Sequence, residues 1–131
     1  VSSLSRSRSL HPWPEEVTKP GFPEWEKTAF KWLWELLPTH CRDQWLLVSH
    51  PLLLARQARR QVEGEIYMLR YKRSSHYELK RLGLSPAVIE EVIRLDAEEV
   101  HRLTRVKEEV MMVAQALALS PAGGCRGSRR P

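Results

Sequence analysis

Apolar residues in the first third of the chain recur at helical spacing. Trp25, Ala29, Trp32, Leu33, Leu36 and Leu37 stand at i, i+4, i+7, i+8, i+11 and i+12, one face of a helix that opens at Pro23-Glu24 and stops before Pro38. Phe30 and Trp34 widen this face to an arc of roughly 200°, at about 100° per residue. Glu24, Lys27, Thr28, Lys31 and Glu35 gather on the remaining side. An arc this broad predicts burial against two elements at once, or against another chain. The following stretch, residues 38–50, predicts a short helix around 43–48 that buries Trp45, Leu46 and Val48.

Two long helical patterns follow, over 51–82 and 86–119, separated only by the punctuation in Leu82-Gly83-Leu84-Ser85-Pro86. Glycine tolerates the left-handed turn that ends a helix, serine caps the next one, and proline suits its first position. So short a link predicts an antiparallel hairpin. Ala55, Ala58, Val62, Ile66 and Leu69 form the inner face of the first arm. Ile89, Val92, Leu103, Val106, Val110, Val113 and Leu117 form that of the second and fit a coiled-coil heptad. Folding about Leu84 sets each residue opposite one whose number sums with its own to about 168. Val106 then meets Val62, Val110 meets Ala58, Val113 meets Ala55, Leu103 lies near Ile66, and Ile89 faces Leu79. His76 falls opposite Val92 as a partly buried seam residue. The seam is interrupted at Asp96 and Glu99, which this alignment sets near Lys72 and Arg73. That is a polar layer of the kind that fixes register or partner choice.

The fold class is therefore all-α: a long antiparallel helical hairpin with an N-terminal tryptophan-rich helix and a short helix packed on it. The single helical domain spans 23–119. Residues 1–22 read as a disordered or Pro-rich leader, in which Trp13, Val17 and Phe22 could lay the chain across the folded body. Residues 120–131 read as a disordered basic tail. No internal repeat is present.

Charge changes this picture in one respect. The net charge is +5, and the two ends account for all of it through Arg6, Arg8, Arg126, Arg129 and Arg130. The first arm is basic and the second acidic, so their opposite signs predict a self-complementary pair. That expectation competes with a nucleic-acid reading. Cys41 and Cys125 fit neither a disulfide framework nor a zinc site. No apolar run is long enough for a membrane span, and the first residues lack the apolar core of a secretory signal. The cytoplasm is the expected compartment.

Candidate chemistry is sparse. Glu98 and His101 form one Glu-x-x-His, whereas di-iron bundles need two copies and two further carboxylates. None of His11, His40, His50, His76 and His101 stands in a local nucleophile–base arrangement, and no glycine-rich phosphate loop exists. The expectation is a non-enzyme with no cofactor and no metal. Two surfaces remain. Arg56, Arg59, Arg60, Tyr67, Arg70, Tyr77 and Arg81 fall within about 100° of one another on the first arm. Such a stripe could follow a phosphate backbone, although Glu63 sits within it. The tryptophan helix offers Trp25, Phe30, Trp32 and Trp34 to a partner, or else uses them as core.

The run Trp32-Leu33-Trp34-Glu35-Leu36-Leu37-Pro38, then His50-Pro51 and Leu54-Ala55-Arg56-Gln57-Ala58-Arg59 with Glu63, resembles small helical proteins of high-GC actinobacteria across residues 24–119. The resemblance implies a bacterial cytosolic location, and Val1 would suit a GTG start in such a genome. It carries no function and no site. The functional expectation is a non-catalytic protein-interaction or regulatory module, plausible as a homodimer. A nucleic-acid-associated protein using the Arg/Tyr stripe is the alternative.

Overall fold

The computed structural model describes residues 13–42, 44–71 and 76–120. Among them the chain is all-helical: α1 (Trp25–Glu35), a 3-10 turn (Thr39–Cys41), α2 (Trp45–Ser49), α3 (Pro51–Tyr71), α4 (His76–Arg81) and α5 (Pro86–Leu119). Within the first arm, expected as one helix over 51–82, helix is described over 51–71 (α3) and 76–81 (α4). The residues between them, with Lys72 and Arg73 of the expected polar layer, lie outside the described residues. So do 1–12 of the leader and 121–131 of the tail.

α3 packs along α5 in the most extensive pairing of the molecule, and α4 also reaches α5. The link is built as its residue types dictate. Gly83 takes a left-handed φ of 83°, and its N–H donates to the Lys80 carbonyl at 2.9 Å. Ser85 Oγ accepts from the Val88 N–H at 3.3 Å, with Pro86 in the first turn. Beside the link, Leu79 and Ile89 are both buried. Further along, Glu65 shares a groove with Leu103, and Met68 shares it with Glu99. Ala55, Ala58 and Val62 are buried on α3, and Leu103, Val110 and Val113 on α5. Alanine on one helix against branched residues on the other lets the two backbones approach closely.

The core gathers at the end of the hairpin far from the link. Trp25, Ala29, Trp32, Leu33 and Leu37 of the first helical region meet Leu47, Leu54, Ala55, Ala58, Val110, Val113 and Leu117 in one cluster. α1 starts at Glu24, whose own φ of 68° is left-handed. Its carbonyl nevertheless accepts from the Lys27 and Thr28 N–H groups. At the other end, the Arg42 guanidinium donates to the carbonyls of Leu37 and Glu35, satisfying helix-terminal acceptors that otherwise lack partners.

The arm before α1 belongs to this body, so the folded unit begins upstream of Pro23. Trp13 Nε1 donates to the Val17 carbonyl at 2.9 Å, and its ring lies 6.2 Å from that of Trp25. Pro14 and Val17 are buried. The Thr18 N–H donates to Thr28 Oγ1, which itself donates to the Trp25 carbonyl. Of the three apolar residues that could hold the arm, Trp13 and Val17 do so, while Phe22 is 63% exposed. At the far end Ser120, assigned to the tail by sequence, is buried and donates to Glu26 Oε2 at 2.6 Å.

The short helix differs from expectation in its buried side. α2 begins at Trp45, after Gln44 in an extended conformation, and buries Leu47 alone. Trp45 is 69% exposed, and Leu46 and Val48 also face outward. Five residues make little more than one turn, so only one side chain can point squarely at α3.

Candidate interaction surface

Three surfaces follow from this architecture, and the helices position each of them. The first is the tryptophan face. Trp25 and Trp32 are core residues, 6% and 9% exposed, and offer no open docking area. Their burial comes from the arm and the hairpin, the two elements that the broad apolar arc required. Phe30 and Trp34 are half-buried and stack on each other at 5.6 Å with ring planes 17° apart. The pair sits at i,i+4 on α1, where side chains are neighbours.

The second surface is the basic stripe. Arg56, Arg59, Arg60, Tyr67 and Arg70 lie on α3, and Tyr77 and Arg81 on α4. All seven are exposed. Arg59 is engaged by Glu63, with Nε donating to Oε2 at 2.9 Å, so one guanidinium in the middle of the stripe is neutralised on its own helix. The Tyr67 and Tyr71 rings lie 5.0 Å apart, and the Arg81 guanidinium stands over Tyr77 at 5.7 Å. Tyr71 was not among the residues singled out by sequence, although the spacing Tyr67-x-x-x-Tyr71 is a signal for such a pair.

No family model, curated protein or solved structure matches this chain.

The third surface is the distal hairpin itself, towards the link. Tyr67, Met68, Tyr71, Tyr77, Leu82, Val88 and Leu95 are exposed there, while only Val62, Leu79, Ile89 and Leu103 are buried outside the main cluster. Met68 joins Gly64, Leu69, Glu99 and Leu103 in lining an open groove between α3 and α5. His76, expected partly buried opposite Val92, is exposed.

The charges are arranged differently from the complementary arms expected. Every ion pair between described residues joins side chains three or four positions apart in sequence. On α5, Arg94 bridges Glu91 and Glu98, and Arg102 holds Glu99 through Nε and Nη2 at 3.0 and 2.7 Å. Hydrogen bonds from these arginines hold the Glu91 and Glu99 carboxyls below the usual carboxylate range. The acidic arm therefore neutralises much of itself. Asp96 and Glu99 are half-buried at the seam, with Glu99 turned to Arg102.

Glu98 is thus committed to Arg94, and His101 is exposed. Among the described residues no group of three or more His, Cys, Asp or Glu side chains could hold a metal ion. No helix among them is long and apolar enough to cross a membrane. Cys41 is a half-buried free thiol.

One titratable group is set apart. Burial pushes the Glu109 carboxyl up; Arg105 opposes this, and Glu16 and Glu15 of the arm add to it. Glu109 and Ser120 mark the side of α5 on which the arm and α1 sit.

Proposed function

We propose that this chain is a non-catalytic interaction or regulatory module of the cytoplasm that binds a protein through the helix faces of its hairpin. The observation that carries the reading is the exposure of Tyr67, Met68, Tyr71, Leu82, Val88 and Leu95 on a hairpin whose distal half has few buried residues of its own. Exposed apolar and aromatic side chains in number are what protein contacts use. Two helices alone cover each other on one side only, so a third surface completes their burial. The test is a purified complex of defined stoichiometry that survives moderate salt and is lost on Met68→Asp or Leu95→Asp. A partner that binds both variants as well as the unaltered chain refutes the reading.

A second reading rests on the stacked Tyr67–Tyr71 pair beside Arg60 and Arg70. Bases stack on such rings while guanidiniums follow phosphates. It predicts binding to single-stranded nucleic acid that weakens steeply with salt and on Arg60→Gln with Arg70→Gln. Binding that is indifferent to salt refutes it.

A further inference from the structure

The interaction reading does not by itself fix a face or a partner, and α5 supplies both. Besides the heptad that faces α3, α5 carries a second stripe with the same alternation of three- and four-residue steps: Ile93, Ala97, Val100, Thr104, Met111 and Ala114, with Lys107 as its one charged member. Ala97 and Met111 are exposed and the other four apolar or hydroxyl positions half-buried. By helical angle this stripe is centred roughly 180° from Ser120 and Glu109. Ser120 meets α1 through its hydrogen bond to Glu26, and Glu109 lies within electrostatic reach of Glu16 and Glu15 of the arm. By helical angle the stripe points away from both.

Between this stripe and α3 lies an open groove. Leu52, Ala55, Met111 and Ala114 line it, with Arg56 and Arg59 on the α3 rim and Glu108 on the α5 rim. Arg59 is held by Glu63. Arg56 and Glu108 are exposed and engage in no ion pair or hydrogen bond among the described residues. An apolar floor edged by an unpaired cation on one side and an unpaired anion on the other is complementary to itself.

Resting on the interaction reading, we infer that this flank receives a second copy of the chain about a twofold axis parallel to α5. The two hairpins then lie side by side and point the same way, as a four-helix bundle with both α1 helices outside. This operation lays α3 of each copy over α5 of the other, and Arg56 over Glu108 of the second copy at the same height. A twofold axis perpendicular to the helices would instead set arginine rim against arginine rim, which like-charge repulsion disfavours. The second stripe runs about 32 Å by helical rise, and a two-helix flank is about 20 Å wide, on the order of 640 Å². A standard interface takes about 800 Å² from each partner.

Sedimentation equilibrium of the full chain at micromolar concentration tests this. The expected result is a dimer that Met111→Glu or Ala97→Glu converts to monomer with helical circular dichroism retained. Ala97 is exposed and outside the core, so its variant keeps the test valid if Met111→Glu unfolds. Arg56→Glu and Glu108→Arg each weaken the dimer about tenfold or more, and the double exchange restores it, as paired charges require. A monomeric chain overturns the proposal, as does a dimer indifferent to Met111→Glu and Ala97→Glu. If that monomer still binds another protein in a manner lost on Met68→Asp, the self-association has failed and the interaction reading stands. If it binds none, both have failed.

Discussion

The two ends of the hairpin are made from the same pair of helices and differ in what surrounds them. At one end the arm, α1 and α2 close over Leu54, Ala58, Val110 and Val113, and leave no exposure or almost none. At the other, α3 and α4 meet α5 with no third layer among the described residues, and Tyr67, Tyr71, Leu82 and Leu95 are exposed. Local opening free energy rises with buried apolar contact and protected backbone. The first end therefore holds the fold together, and the second should open first. A chain in which both ends were covered would be more stable and would have no extended apolar surface to offer.

The sharpest way to break this comparison is truncation of one leucine at each end. Leu54→Ala empties a fully enclosed site and should cost about 3 kcal/mol in urea unfolding, whereas Leu82→Ala should stay within about 0.5 kcal/mol. Equal losses would mean that the distal end has a core of its own. Ser85→Ala should cost about 1 kcal/mol by removing the cap of α5. Hydrogen exchange should show the loss as faster opening near the link, with the amides around Leu54 unchanged. Glu24→Gly should raise the unfolding free energy by about 0.5 kcal/mol, since glycine adopts the left-handed φ at that position without a Cβ clash.

The smallest effect concerns Glu109, whose pKa is raised in the folded chain. The folded state then holds its proton more tightly than the unfolded state does. The stability it contributes is fully present below the ordinary carboxylate pKa and is lost as pH rises through the raised value. Glu109→Gln should therefore melt at a higher temperature than the unaltered chain at neutral pH, with the difference closing as the pH is lowered. A difference that widens on acidification would reverse the assigned direction.

The sequence is most informative where a pattern repeats over many turns. α5 is a single helix with Ile89, Leu103, Val110, Val113 and Leu117 buried, because nine turns of a heptad fix its phase. α2 has little more than one turn, so nothing in its residues sets whether Leu47 or Trp45 faces the body. In the arm, prolines exclude a helix but do not decide whether Trp13 packs. The Trp13 and Thr18 hydrogen bonds that hold it depend on the folded neighbourhood. The net charges of the two arms do not show which partner each side chain takes. Arg94 and Arg102 pair with glutamates one turn away on their own helix, and Glu65 across the seam adds to the attraction on Arg102. Arg42 carries no sequence signal, because its role is defined by where α1 ends.

α5 runs without interruption from the tryptophan body to the link. By its rise per residue this rod is about 50 Å long. The link and the tryptophan body are consequently held a fixed distance apart. Adding or deleting whole heptads in both arms should alter that distance in steps of roughly 10 Å while leaving the two ends themselves intact.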